Sequence, residues 1–280
     1  VQLVVIRTGI AAAGLCLVVI FKRKAIPRDW RTLGSIALIG VGNVAVPFTL
    51  ISFGEQTVES GLASVLQATA ALFGLVVAHF AFVDERITRQ RVTGLLLGFA
   101  GVIVLSARNW QEGVNLSGGF AGQMMIVAAS LSYATFTTLS RKIIQGQVEP
   151  VVLSALAMLS GALTESALLF FGVSFLDFPA TVPATLDHGV LGAVLLLGFL
   201  NTFIAYLIFY EIVRVLGAGR ATMVTYVVPA VGLLLGVLLL GERLDLFIIV
   251  GAGLIFTGIA IVNLRAFAWL NRVRLAPSGG

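Results

Sequence analysis

Nine apolar runs, at residues 1–21, 32–53, 60–83, 92–107, 120–144, 151–174, 189–212, 219–240 and 246–264, follow one another with only charged, Gly-rich or Pro-bearing connections between them. A helix needs about 20 mostly apolar residues to cross the hydrocarbon core of a bilayer. Inside that core every backbone N–H and C=O must be paired within the protein. No run shows the alternation of a strand, which leaves helices. With 59% hydrophobic and 11% charged residues, a chain of this size cannot hide its apolar surface as a water-soluble globule. The sequence predicts an all-α integral membrane protein.

Alternating the runs across the membrane places Lys22, Arg23, Lys24, Arg28, Arg31, Arg86, Arg89, Arg91, Arg141, Lys142, Arg214, Arg220, Arg265, Arg272 and Arg274 on one face, and only Arg108 and Arg243 on the other. Basic residues collect on the cytoplasmic side, so the C-terminal tail is expected there. Trp30, Trp110 and Trp269 fall at run ends, where amphipathic rings anchor. The net charge of +5 is accounted for by this topology, and no basic patch interleaved with aromatics suggests nucleic acid. Cys16 is the single cysteine, so neither a disulfide framework nor a cysteine metal site is expected. No metal or other cofactor is implied. The expected partners are a small-molecule substrate and membrane lipids.

A doubled pattern subdivides the chain. Glu85, Arg86, Gly94, Leu97, Phe99, Gly101 and Arg108 recur without a gap as Glu242, Arg243, Gly251, Leu254, Phe256, Gly258 and Arg265. Upstream, Gly40 and Asn43 match Gly198 and Asn201 with one residue of slippage. An odd number of runs separates the copies, so the second lies inverted in the membrane, an arrangement typical of transporters. The expected divisions are 1–109 for the first repeat, 118–265 for the inverted second and 266–280 for a cytoplasmic tail. If the second repeat begins with the run at 120–144, the counterpart of that run would precede Val1. Ten spans, five plus five, are therefore expected, with the first helix missing from this numbering and both termini cytoplasmic.

The segments Leu240-Gly-Glu-Arg-Leu244 and Val83-Asp-Glu-Arg-Ile87, each followed by a Gly-rich run, resemble the EamA repeat of the drug/metabolite transporter superfamily. The resemblance covers nearly the whole chain. It implies a ten-helix fold whose central cavity is lined by the first four helices of each half, and residence in the bacterial inner membrane. Within the superfamily the chain looks most like the YddG-type exporters of aromatic and other amino acids. It departs from the family pattern where Pro229 in the second half is matched by Leu72 in the first.

Polar groups in hydrocarbon are costly and face a cavity, another helix or each other. Asn43, Gln67, Ser132, Tyr133, Asn201 and Tyr226 lie near the middle of five runs, the depth at which transporters bind substrate. Asn43, Gln67, Tyr133, Asn201 and Tyr226 are the candidate substrate contacts. For the asparagines, interhelical hydrogen bonding worth about 0.6–2 kcal/mol is the competing role. Ser64, Gln67, Ala71, Gly74 and Ala78 form a small or polar stripe that either packs against a close helix or lines a pore. Tyr133, Tyr206, Tyr210 and Tyr226 give the second half an aromatic bias suited to an amphipathic organic substrate, or to ordinary packing. His79 is either a satisfied structural group or a proton-sensitive gate. Arg7 and Glu165 are charges within runs at equivalent repeat positions, and mutual pairing is the economical expectation, with a structural or gating role. A Glu165 facing the cavity alone would instead be a proton or cation site. Gly94 with Gly98, and Gly232 with Gly236, have spacing that permits close helix approach. Pro47 and Pro229 remove backbone hydrogen bonds in mid-run, where a bend can act as a hinge.

The combined expectation is an alternating-access exporter of aromatic or other neutral amino acids or related metabolites, with no ion coupling required. A proton-coupled multidrug exporter is the main alternative. A membrane-embedded enzyme is disfavoured, because Walker, zincin and nucleophile-elbow motifs are absent and His79 and His188 are the only histidines. A scaffold or channel is a third class.

Overall fold

The structure, a computed structural model, describes residues 2–82, 88–111, 119–145, 148–175, 188–209, 231, 235–239, 241 and 245–274. The Glu-Arg pairs at 85–86 and 242–243, together with Tyr210, Tyr226, Pro229 and Gly232, lie outside the described residues. The ordered elements among the described residues are all helical. They are α1 (Gln2–Phe21), α2 (Trp30–Gly40), a π-helical turn (Val41–Ala45), α3 (Val46–Gly54), α4 (Ser60–Gln67), α5 (Thr69–Ala81), α6 (Arg89–Gln111), α7 (Gly119–Gln145), α8 (Pro150–Phe175), α9 (His188–Leu196), a second π-helical turn (Leu197–Ile204) and α10 (Leu246–Arg274). Among the described residues, five helical stretches are long and apolar enough to span a bilayer: Gln2–Phe21, Trp30–Gly54, Ser60–Ala81, Pro150–Gly172 and Gly192–Phe209. The chain is an all-α, multi-span membrane protein.

Three runs expected as single rods are interrupted among the described residues. In the first, α2 begins on Asp29, whose carboxylate accepts from the backbone N–H of Thr32 at 3.0 Å, and then widens into the π turn at Val41–Ala45. Pro47 was expected to mark the bend, but the widened turn lies just upstream and Pro47 sits in the first turn of α3. Proline alone does not cause the distortion. The second π turn occupies the equivalent stretch of the other half, where Ala205 stands in place of Pro47. The other interruption separates α4 from α5 at Ala68, where the chain tightens so that the Ala68 N–H reaches Val65 O at 3.1 Å and the Ala71 N–H reaches Ala68 O at 3.1 Å.

The helices that close the two halves, α6 and α10, pack along each other. A Cβ on Gly101 would stand 2.6 Å from Gly251 O, and a Cβ on Gly258 would strike Gly94 O. Gly251 and Gly258 are the repeat counterparts of Gly94 and Gly101. Each helix thus offers the other its own complementary position, in reversed order along the chain. Only an antiparallel pair related by a pseudo-twofold axis perpendicular to both helices does this. The repeats are inverted, and the axis crosses this pair near Leu97 and Leu254. The small-residue spacing at Gly94 and Gly98 is accounted for by this contact.

The same relation recurs where α1 packs along α8. Glu165 bonds to Thr8, which adjoins Arg7, the residue equivalent to Glu165 in the first repeat once the one-residue slippage is counted. Residues so nearly equivalent meet only close to the axis, so Thr8 and Glu165 lie near the level where the halves exchange. Apolar packing is divided accordingly. Leu62, Leu66, Leu72, Val102, Ile126, Ile248 and Ile255 are buried among α4, α5, α6, α7 and α10. Val4, Ala11, Leu15, Val44, Phe48, Val152 and Met158 are buried among α1, the first π turn, α3 and α8.

Candidate functional site

The polar centre of the second cluster begins with Glu165, which is fully buried in α8. Thr8 Oγ1 donates to Glu165 Oε2 at 2.5 Å, and Oε1 has no hydrogen-bond partner. Arg7, the next residue on α1, does not form the expected ion pair with Glu165. Its guanidinium lies over the Phe48 ring at 4.0 Å from the centroid, and its buried Nε has no hydrogen-bond partner. The reason is helical geometry: adjacent residues project about 100° apart, so a carboxylate engaged by Thr8 lies on a different azimuth from Arg7. Phe48 in turn meets Tyr133 edge-on, with centroids 6.2 Å apart and planes at 65°. Tyr133, Phe203 and Tyr206 pack against the same buried cluster. Two half-satisfied opposite charges therefore sit beside aromatic surfaces, near the level of the twofold axis.

Asn43 lies in the first π turn, buried, and its Oδ1 accepts from the Thr137 hydroxyl of α7 at 3.2 Å. The turn's own hydrogen bonding shows why α7 is needed there. The Val46 N–H goes to Val41 O, so the next bond of that register, to Gly42 O, would have to come from residue 47. Pro47 has no N–H to give. The Ser132 hydroxyl supplies the missing donor at 2.6 Å. Close approach is enforced by Gly42, where any Cβ would collide with the Phe136 ring. Ser132 and Thr137 thus join the second half to the first, and Asn43 makes the interhelical bond that was its alternative role.

The remaining candidates separate from this centre. Asn201 lies in the second π turn, in the position equivalent to Asn43, but is exposed. Gln67 is half-buried at the end of α4, where its carbonyl faces the Ser130 hydroxyl at 3.4 Å. Of the small-residue stripe, Ser64 donates to Gly61 O at 2.7 Å, and a Cβ on Gly74 would meet nothing within 4 Å. His79 is half-buried in the last turn of α5, edge-on to Phe80 at 5.0 Å. The structure therefore gathers Arg7, Glu165, Tyr133, Asn43 and Pro47 along the α1, α3, α7 and α8 contacts, and leaves Gln67, Asn201 and His79 outside. Thr8, Phe48 and Thr137 were not singled out from the sequence. Thr8 had a usable signal, since an intramembrane carboxylate needs a donor and Thr8 adjoins Arg7, the repeat equivalent of Glu165.

The chain matches the EamA-like transporter family over residues 1–107 and 120–264. It is 28% identical to an uncharacterized transporter of Archaeoglobus fulgidus over 92% of this chain and 86% of that protein. It is 30% identical to a protein of Escherichia coli (strain K12) bearing the name "Probable amino-acid metabolite efflux pump", over 87% of this chain and 79% of that protein. A chain of known crystal structure, 21% identical, superposes with a TM-score of 0.63 over 99% of this chain and 89% of its own.

Proposed function

The chain belongs to the EamA-like transporter family, and from that premise we propose that it exports neutral amino acids, aromatic ones among them, or closely related metabolites. The observation that carries the reading is the juxtaposition of two opposite charges, Glu165 buried and Arg7 half-buried, with Phe48, Tyr133 and Tyr206 near the level of the pseudo-twofold axis. An amphipathic molecule with a polar end and an apolar end suits such surroundings. The E. coli relative named for amino-acid metabolite efflux supports the substrate class.

Transport proceeds by alternating access, the two inverted halves rocking about the axis so that the site opens to one side and then the other. Asn43, Gln67, Tyr133, Asn201 and Tyr226 remain the proposed substrate contacts, with Arg7, Glu165, His79, Pro47 and Pro229 as gating or coupling residues. The protein resides in the bacterial inner membrane with its C-terminal tail in the cytoplasm, as the distribution of Lys and Arg supports. Flux of labelled phenylalanine and threonine in proteoliposomes is the test. Saturable counterflow supports a carrier of amino acids. Flux of quaternary ammonium drugs alone moves the chain to multidrug export, and no flux of either from well-folded protein removes the reading.

A further inference from the structure

We propose that Arg7 and Glu165 are the residues that read the two ends of an α-amino acid headgroup, Arg7 taking the carboxylate and Glu165 Oε1 taking the ammonium. The inference rests on the exporter reading and assigns its charge recognition to two side chains that would otherwise belong to gating.

Four observations converge on it. The first is the pair of orphaned atoms: Arg7 Nε is a buried donor and Glu165 Oε1 a buried acceptor, and neither has a hydrogen-bond partner. Leaving a charged group partly unsatisfied in a buried site is among the more expensive arrangements a fold can carry. A binding site has reason to carry it, because a ligand can complete both sets of bonds. The second is that the two charges do not cancel each other. Glu165 is held by Thr8 and Arg7 by the Phe48 ring, so each is fixed by its own neighbour and kept from collapsing into an ion pair. The third is chemical complementarity. The missing partners are an anion for Arg7 and a donor cation for Glu165, on one small molecule, and a zwitterion carries both on adjacent groups. The fourth is position. The pair lies beside Tyr133 and Tyr206, whose rings pack against the same cluster and could receive the substrate's side chain, and near the axis level, the one place equally related to both halves.

The proposal separates Glu165 from a coupling role. A carboxylate that serves only as a proton carrier has no need of a fixed cation at the neighbouring helical position. A headgroup reader does.

The test uses counterflow of labelled phenylalanine by the full chain in proteoliposomes, with competition by unlabelled phenylalanine, N-acetylphenylalanine, which lacks the ammonium, and phenylalanine amide, which lacks the carboxylate. In the unaltered protein each blocked analogue should compete at least about tenfold less well than phenylalanine, as expected when a site built for a charged hydrogen bond is denied its partner. Glu165→Gln should weaken phenylalanine and abolish discrimination against the N-acetyl analogue while keeping discrimination against the amide. Arg7→Gln should do the reverse. Folding of both variants is checked by thermal unfolding, and the analogue series in the unaltered protein stands even if neither variant folds. Saturable flux in which both blocked analogues compete as well as phenylalanine overturns the headgroup assignment and leaves the exporter reading in place. Equal losses for all three competitors in either variant also overturn it. Absence of saturable flux for any amino acid overturns both.

Discussion

Gly101 lies against Gly251 so closely that a Cβ on the former would stand 2.6 Å from the carbonyl oxygen of the latter, and the mirrored contact of Gly258 with Gly94 is closer still. The obstacle in both cases is backbone, which has no rotamer to move aside. Gly101→Ala and Gly258→Ala should therefore each force α6 and α10 apart and cost about 1–3 kcal/mol, the usual range for overpacking. Gly253→Ala, on α10 but with nothing within 4 Å of its Cβ, should be neutral or stabilise by up to about 1 kcal/mol through lower backbone entropy. Thermal unfolding of the three variants in one detergent separates the outcomes.

Thr8 is the partner that holds Glu165 Oε2. Thr8→Val keeps the shape and removes the donor, leaving both carboxylate oxygens without the bond shown here. A loss of about 1.5–3 kcal/mol is expected, the range for hydrogen bonds to charged groups. Thr8→Ser should restore most of it. The comparison is read in thermal stability, with counterflow as a second measure.

The bond between Thr137 and Asn43 ties α7 to the first π turn. A double-mutant cycle with Asn43→Ala and Thr137→Val should return a coupling of about 0.6–2 kcal/mol, the range found for interhelical hydrogen bonds in membranes. Additive single effects would show that the two side chains do not stabilise each other.

Lys24 Nζ lies 2.9 Å from Glu149 Oε2, joining the turn after α1 to the start of α8, with side chains 35% and 49% exposed. An ion pair so open to solvent contributes little. Lys24→Ala should change stability by less than about 1 kcal/mol, and the difference should shrink as salt is added.

Asp29 caps α2, and the Thr32 backbone N–H, aided by the Thr32 hydroxyl, holds its carboxyl below the ordinary carboxylate range. A lowered pKa in the folded protein means that the cap's contribution is present above the ordinary value and lost as pH falls through the folded one. Amide exchange in the first turn of α2 should accelerate under those acidic conditions. Asp29→Asn, which retains a cap oxygen without the charge, should remove that pH dependence.

The membrane architecture was legible because span length and charge asymmetry are written in composition, and the inversion because Gly94, Gly101, Gly251 and Gly258 share a register with the charged residues around them. What the glycines touch was not legible. Their recurrence marked duplication, while their contact with one another emerges only when α6 and α10 are placed side by side. Pro47 was read as a hinge because proline breaks helical bonds, yet the second half makes the same π turn with Ala205. Asn43 and Asn201 correspond in sequence, but that Asn43 bonds to Thr137 of α7 emerges only when the helices are placed side by side. The Arg7 and Glu165 pair was recognised as unusual, but its geometry was beyond sequence, since whether two adjacent helical residues compete for one carboxylate depends on azimuth.

The level shared by Thr8 and Glu165 has an electrical consequence. Arg7 is one residue from Thr8, about 1.5 Å along the helix, so the backbone positions that carry the cation and the anion lie at nearly one depth. The membrane potential acts along the normal and performs about 2.3 kcal/mol of work per elementary charge per 100 mV only on net charge displaced in that direction. A neutral pair carried together through that field, empty or holding a zwitterion, displaces none, so the turnover of such a carrier should be indifferent to voltage.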